Sequence, residues 1–450
     1  MINLDLKLND DNIRKVLEED YIGRNKYING LMNLLNSLHE SKIIALDGNW
    51  GSGKTFFLKS LEYLMNNEYD KKFKEINEEN LNKLKKEYML FYYNAWENDD
   101  ASSAMLSLIY KLINDCFSST IVEKNVDVTV NGIAIALNTI IKFITAGSID
   151  VKEDVFGEKW TSKKITDEII TSEEIKQTFR DLIKEILSEK KNKILIIIDE
   201  IDRCKPTFAI DLLENIKHFY DDDRVVFIVA TNNKQLGASV CKVYGEKYDG
   251  YEYLDKFFDI NLELPDNYLE KYIKAIDEHR ISSDYYFKCC REIAKYKKMT
   301  MREYNRYLNS IQTMKDYLTA NSDFDLFYIK MFTKNLLIPL ALELKIKEKD
   351  KYYEFISGNL FAEIENLIRN NSFFYQISLR MIKNKTRDEL SKIEETQSSD
   401  IEKESKKLKL VLENLKSMYS LLNENNNQGN TDIYLKSELN TMLDMMSMLN

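Results

Sequence analysis

Residues 43–55 read Ile43-Ile44-Ala45-Leu46-Asp47-Gly48-Asn49-Trp50-Gly51-Ser52-Gly53-Lys54-Thr55, and their reading decides the fold. Gly48 and Gly53 stand five apart, and Lys54 and Thr55 follow Gly53 directly, which is the phosphate-loop pattern G-x-x-x-x-G-K-[ST] without a substitution. A β-branched apolar run enters the loop and Phe56-Phe57-Leu58-Lys59 leaves it, so the pattern predicts strand, loop and helix. The residue types suit the chemistry. Gly48, Gly51 and Gly53 lack Cβ, so the chain can curl and aim backbone N–H groups at phosphate oxygens. Lys54 supplies an ammonium for the β- and γ-phosphates, and the Thr55 hydroxyl is a ligand for Mg²⁺. Asn49, Trp50 and Ser52 complete the loop, and the following helix N-terminus adds its positive dipole end. A glycine turn with an incidental lysine is the plain alternative, and a second motif downstream answers against it.

That second motif is Lys193-Ile194-Leu195-Ile196-Ile197-Ile198-Asp199-Glu200, an apolar run ending in two carboxylates. Such a run suits a central parallel strand covered on both faces. Two adjacent acids at a buried strand end are costly without a cation and ordered water. Asp199 is expected to hold Mg²⁺, mostly through water, and Glu200 to polarise the attacking water. Arg224 to Asn232 reads as the next buried strand, with Thr231 and Asn232 at its end to hydrogen-bond that water or the γ-phosphate. Tyr88 to Tyr93 and Phe257 to Pro265 read as further strands. Strands alternating with helical spacing over residues 40–265 require a parallel, helix-flanked α/β sheet, with ligand at the carboxyl ends of its strands.

The flanks are read by the same rules. Asp20-Tyr21-Ile22-Gly23-Arg24 precedes an apolar helical pattern, and Ile22 and Arg24 are expected beside a nucleotide base; an exposed arginine at a plain helix start is the alternative. Residues 66–87 read as a solvated helix or hairpin, and about 118–165 as an irregular insertion. Within it, Gly132 to Ile149 is the most apolar run, yet Asn138, Thr139, Lys142 and Thr145 interrupt it. A spanning helix needs about 20 apolar residues, and a central charge costs on the order of 3 kcal/mol. A buried or amphipathic helix is therefore preferred to membrane contact. After Pro265 the chain reads as helical to its end. Thr300 is expected to cap a helix carrying Arg302 in its first turn, where it can reach a γ-phosphate; a surface salt bridge is the alternative. Leu408, Val411, Leu415, Met418 and Leu422 form a short seam, expected to pack on the body of the protein.

Composition excludes several classes. A formal net charge of −10 argues against a general nucleic-acid clamp. Five cysteines without a C-x-x-C argue against a zinc ribbon or a disulfide framework, and for reduced thiols in a cytosol. Three histidines, none in H-E-x-x-H, give no nuclease or protease centre. The first residues show neither a basic nor an apolar leader segment. Asn233-Lys234-Gln235-Leu236 fails the base-reading pattern of GTPases at its last position.

Taken together, these residues resemble the KAP family of P-loop NTPases, named for the kinase D-interacting substrate and the plasmid F phage-exclusion protein. Gly48-Asn49-Trp50-Gly51-Ser52-Gly53-Lys54-Thr55 is similar to the family's G-x-W-G-x-G-K-[ST] loop, and Phe91 to Trp96 resembles its F-N-A-W box. Asp199-Glu200-Ile201-Asp202-Arg203-Cys204-Lys205-Pro206 resembles its D-D-L-D-R-C-x-P box, with Glu200 where the family often has Asp. The resemblance covers roughly residues 20–320. It implies an ASCE-type parallel-sheet NTPase core with a C-terminal helical lid and tail, ATP and Mg²⁺ as ligands, and self-assembly. The expected division is 1–265 for the core, 266–320 for the lid and 321–450 for a helical C-terminal region. The expected activity is hydrolysis of the β–γ phosphoanhydride by a cytoplasmic ATPase. Arg203, Arg224 or Lys256 of a neighbouring copy is expected to supply a cation against the transition state. The family's bacterial members imply an assembly switch in anti-phage defence, with homo-oligomers and a separate effector protein as partners. Two alternatives stay open: a nucleotide-gated scaffold with little turnover, and a nucleic-acid-dependent motor.

Overall fold

The computed structural model describes residues 8–101, 103–123, 191–218, 222–265, 269–280, 285–320, 331–383 and 386–422, and 177–187 apart from residues 178, 182 and 185. The chain divides into one unit of Leu6–Asp266 and a second containing Asn267–Asn450.

The first unit runs α1 (Asp10–Glu19), α2 (Asn25–Ser37), β1 (Lys42–Asp47), α3 (Lys54–Asn66), α4 (Glu78–Glu87), β2 (Tyr88–Asn94), α5 (Ala104–Glu123), β3 (Lys193–Asp199), α6 (Pro206–His218), β4 (Val225–Thr231), α7 (Asn233–Tyr244), α8 (Gly250–Asp255) and β5 (Ile260–Glu263). The strands form one sheet in the order β2-β3-β4-β1-β5, and every neighbouring pair is parallel. β3 and β4 are apolar on both faces because both faces are covered; all of β4 and all of β3 after Lys193 are buried. One face carries Ile43, Ala45, Phe91, Tyr93, Ile196, Ile198, Phe227 and Val229 against apolar side chains of α5, α6, α7, α8 and the 177–187 segment. Helices α1 to α4 pack with one another and, through α3 and α4, on β2. Burying an Ile, Val or Phe side chain contributes about 1.5–3 kcal/mol, so this two-sided sheet is the main source of the unit's stability. The order places β4 between the phosphate-loop strand β1 and the acidic strand β3, which is the ASCE-type core the resemblance implies.

Three details differ from the sequence reading. The strand expected from Phe257 begins only at Ile260. The Asp259 carboxylate accepts the Ile43 N–H at 2.7 Å, a side chain standing in for a strand carbonyl, so the ladder starts after it. The stretch 66–87 is not simply solvated: Phe73, Ile76, Leu81 and Leu84 are buried, and α4 packs on α2. Helix α5 continues past residue 118 to Glu123. The 132–149 run and the methionine-rich 442–448 segment lie outside the described residues. Among the described residues no helix is long and apolar enough to cross a membrane.

The described part of the second unit is helical: α9 (Leu269–Arg280), α10 (Tyr285–Tyr296), α11 (Met301–Ala320), α12 (Ile338–Lys347), α13 (Lys349–Ile356), α14 (Ala362–Asn370), α15 (Ser372–Ile382), α16 (Arg387–Glu395) and α17 (Asp400–Tyr419). Helix α11 starts with a reciprocal cap: Thr300 N–H donates to Glu303 Oε2 at 2.7 Å, and Glu303 N–H to Thr300 Oγ1 at 3.2 Å. The expected seam buries Val411, Leu415, Met418 and Leu422, and α17 packs on α15 and α16.

Candidate phosphate and magnesium site

The loop between β1 and α3 holds Gly51 and Gly53 at φ 79° and 87°, a region that residues with a Cβ avoid. The Asp47 carboxylate fixes its entrance, since Oδ1 accepts both the Gly48 N–H at 2.8 Å and the Asn233 N–H at 2.9 Å. This ties the loop to the start of α7. A Cβ built on Gly48 would lie 2.9 Å from Ser52 Oγ, so the two sides of the loop touch. Lys54, the first residue of α3, is buried and donates its Nζ to the Gly48 carbonyl at 2.5 Å. Burial lowers its pKa, and the charges of Asp202, Asp199 and Asp47 oppose that shift, so the ammonium sits within the field of three carboxylates. Thr55 follows in the first turn of α3.

Arg24 does not contact open solvent beside the loop. It is 5% exposed, and its guanidinium donates to the carbonyls of Ser52 and Gly53, the latter at 3.0 Å. It braces the loop from its carbonyl side. Ile22, expected against a base, is buried in the protein.

The acidic strand ends where the sequence places it. Asp199 is 1% exposed; Oδ1 accepts the Glu200 N–H at 2.8 Å and Oδ2 accepts the Tyr92 hydroxyl at 2.5 Å. β2 pairs Asn94 with Asp199 in register, which brings Tyr92 one pleat away on the same edge. Glu200 lies in the left-handed region at φ 61°, ψ 24°, unusual for a residue with a long side chain. Its Oε1 pairs with Arg203 at 3.1 Å, and the Arg203 guanidinium stands over the Trp96 ring, 5.3 Å from its centroid. Trp50 of the phosphate loop donates its indole N–H to Asp202 Oδ2 at 2.9 Å. Cys204 donates towards the Glu200 carbonyl at 3.6 Å; burial, with Asp99, Asp202 and Glu200 nearby, pushes its thiol up to about 12, so it stays protonated.

At the end of β4, Thr231 stands opposite Asp47 in register, and its Oγ1 is buried with no hydrogen-bond partner among the described residues. Asn232 caps α7, its Oδ1 accepting the Gln235 N–H at 3.3 Å. The loop residues Gly48 to Thr55, Asp199, Glu200, Thr231 and Asn232 therefore share the carboxyl edge of β1, β3 and β4. Arg302 is exposed near the start of α11 in the second unit. Arg224 stands at the amino end of β4, bonded to Asp222 at 2.6 and 2.8 Å.

Sequence reading did not single out Tyr92, Asp47 or the Arg203–Trp96 contact. The available signals were the polar ends of β1 and β2, where an aspartate and a tyrosine occur at the edge that carries ligand, and the two motif boxes that hold Trp96 and Arg203.

The residues that would hold a metal are hard oxygen donors, the Thr55 hydroxyl and the Asp199 carboxylate, which fit Mg²⁺. Among the described residues no group of three or more His, Cys, Asp or Glu gathers as a metal cage.

Residues 24–322 match the KAP family P-loop domain. No curated protein matches the chain. Among solved structures the chain is similar to the Orc1 protein of Aeropyrum pernix in complex with DNA, at 13% identity and a TM-score of 0.34, covering 98% of this chain and 87% of that one. A likeness of that degree carries no argument about this chain. The family domain spans more than half of the sequence, and the loop and acidic strand stand on one edge of a parallel sheet; the chain belongs to the KAP family of P-loop NTPases.

Proposed function

We propose that the chain binds ATP with Mg²⁺ and hydrolyses its β–γ phosphoanhydride. The observation that carries this reading is the shared edge of β1 and β3, which brings a buried lysine and loop amides to the same end of the sheet as two carboxylates. In this reading Gly48, Asn49, Trp50, Gly51, Ser52 and Gly53 wrap the phosphates, and Lys54 exchanges the Gly48 carbonyl for phosphate oxygens. Thr55 and Asp199 hold Mg²⁺, which when bound screens the phosphate charge. Glu200 takes a proton from water as the water oxygen bonds to the γ-phosphorus. The bond to the bridging oxygen breaks, and its electron pair leaves on the diphosphate. Asn232 positions the water or γ-phosphate, Arg302 senses the γ-phosphate, and Arg24 acts on the loop rather than on the ligand. Turnover in wild type, with Lys54→Ala abolishing binding and Glu200→Gln abolishing turnover while keeping binding, is the expected result. A wild type that binds ATP and never turns it over, alone or with partners, sinks the hydrolytic part.

A second reading, an ATP-driven assembly switch with slow turnover, is favoured by one observation. Trp50 and Trp96, both within reach of the acidic turn, are 48% and 49% exposed, leaving apolar surface beside the phosphate loop that a second copy would cover. It accords with a homo-oligomer serving anti-phage defence in the cytoplasm through a separate effector. Light scattering with and without ATP·Mg²⁺ tests it, and an unchanged mass counts against it. A DNA-stimulated motor would instead show salt-sensitive DNA binding.

A further inference from the structure

We propose that Arg203 is a positioning residue for Glu200, seated on Trp96 and linked through the neighbouring Asp202 to Trp50 of the phosphate loop. The inference rests on the reading of Glu200 as the group that activates water. Glu200 leaves β3 in a left-handed conformation, and its three-torsion side chain has many rotamers open to it. Arg203 removes that freedom by pairing with Oε1 at 3.1 Å. The side chains of the pair are 17% and 29% exposed, so it is partly desolvated, unlike a loose surface pair. On its other side the guanidinium rests on the Trp96 ring. The main chain that carries the ring is itself held: Asn94 Oδ1 accepts the Trp96 backbone N–H at 3.2 Å, and the Ala95 backbone N–H donates to the Asp199 carbonyl at 2.9 Å. The contacts thus close a circuit from Asp199 through Ala95, Trp96 and Arg203 back to Glu200.

The Trp50–Asp202 bond joins this circuit to the loop, so a phosphate that moves the loop moves the 201–203 turn. An arginine held on both sides within its own chain is poorly placed to serve a neighbouring copy. Stacking and bonding at once requires a flat guanidinium, which lysine lacks.

The test compares wild type, Arg203→Gln and Arg203→Lys in the full chain. ATP affinity by calorimetry and KM are expected to stay within about threefold, while kcat falls at least tenfold in Arg203→Gln and partly recovers in Arg203→Lys. An unchanged kcat, a raised kcat, or lost affinity at constant kcat each overturns the proposal; the last would make Arg203 a phosphate contact. If Arg203→Gln fails to fold, Trp96→Leu removes the seat and keeps both charges; kcat is expected to fall, and a wild-type kcat overturns the proposal. Should wild type bind ATP without turnover, the hydrolytic reading fails by itself. A thermal-melting cycle of Glu200→Gln, Arg203→Gln and the double variant then decides the pairing, non-additive shifts supporting it and additive shifts overturning it.

Discussion

The Tyr92 hydroxyl donates to Asp199 Oδ2 at 2.5 Å, across 107 positions of sequence. Burial, and then the negative charge of Asp199, push the phenol far above the ordinary tyrosine range, so Tyr92 remains a donor at any working pH. The Lys59 ammonium stands 3.4 Å from the centre of its ring. A carboxylate that takes a metal is oriented by such a partner, and loss of one typically costs roughly 10–100-fold in metal affinity. Tyr92→Phe keeps the ring and removes the donor. On the reading that Asp199 takes Mg²⁺, the variant should fold normally and need at least about tenfold more Mg²⁺ for ATP binding, by calorimetry across Mg²⁺ concentrations. An unchanged requirement would remove Tyr92 from the site.

Arg24→Ala should loosen the phosphate loop from behind. The substitution leaves the carbonyls of Ser52 and Gly53 without their charged donor in a buried setting, at a cost on the order of 2–4 kcal/mol. Denaturant unfolding and ATP affinity should therefore fall together, with Arg24→Lys intermediate because one ammonium cannot span both carbonyls. Weaker ATP binding at unchanged stability would instead place Arg24 on the ligand, as the sequence suggested.

How much of this could be read beforehand depended on whether the information was local. The loop, the Ile-rich strand of residues 194–198 and the Val-Val-Phe-Ile-Val run of 225–229 announce themselves, because burial on two faces and phosphate binding both demand particular residue types in sequence. Arg24 was noticed, but its partners were not, since a Gly-Arg turn looks the same whether the guanidinium meets a base or a carbonyl. Tyr92 and Asp199 meet only because β2 and β3 pair in one register. The Trp50–Asp202 bond likewise depends on β4 lying between β1 and β3. Contacts of that kind follow from strand order, which no short window of sequence contains.

Gly237 and Gly250 should respond oppositely to alanine. Helices α7 and α8 cross so closely that a Cβ on Gly250 would lie 2.2 Å from the Gly237 carbonyl oxygen and 2.8 Å from its carbon. Backbone atoms cannot step aside as a flexible side chain can, so Gly250→Ala should cost about 3 kcal/mol or more. A Cβ on Gly237 meets nothing nearer than 3.6 Å, and alanine gains up to about 1 kcal/mol of helix propensity in the interior of α7. Chemical denaturation of both variants checks the contrast; equal effects would mean that the helices do not cross as described.

Glu343 on α12 is 1% exposed; its Oε2 has no hydrogen-bond partner among the described residues, and the nearest cation, Lys297 Nζ, is 3.7 Å away and bonded to Glu363 at 2.6 Å. Burial outweighs the pull of Lys297 and Lys347 and raises the Glu343 pKa from the ordinary 4.5 to about 7. A folded value above the unfolded one means that the folded state binds the extra proton. The associated stability is complete below about pH 4.5 and is lost as pH rises through about 7, a change of about 3 kcal/mol. Glu363 runs the other way: Lys297 and Lys351 hold its pKa below the ordinary value despite burial, so its contribution is lost only on acidification below that range. Between pH 5.5 and 8 Glu363 is therefore mostly ionised in both states, and Glu343 dominates the pair. Wild type should lose stability across that window. Glu343→Gln should flatten the slope and melt higher than wild type at pH 8, since Lys297 keeps Glu363 as its partner. Melting curves at half-unit pH steps measure both, and a slope that survives the substitution would show that Glu343 is already ionised in the fold.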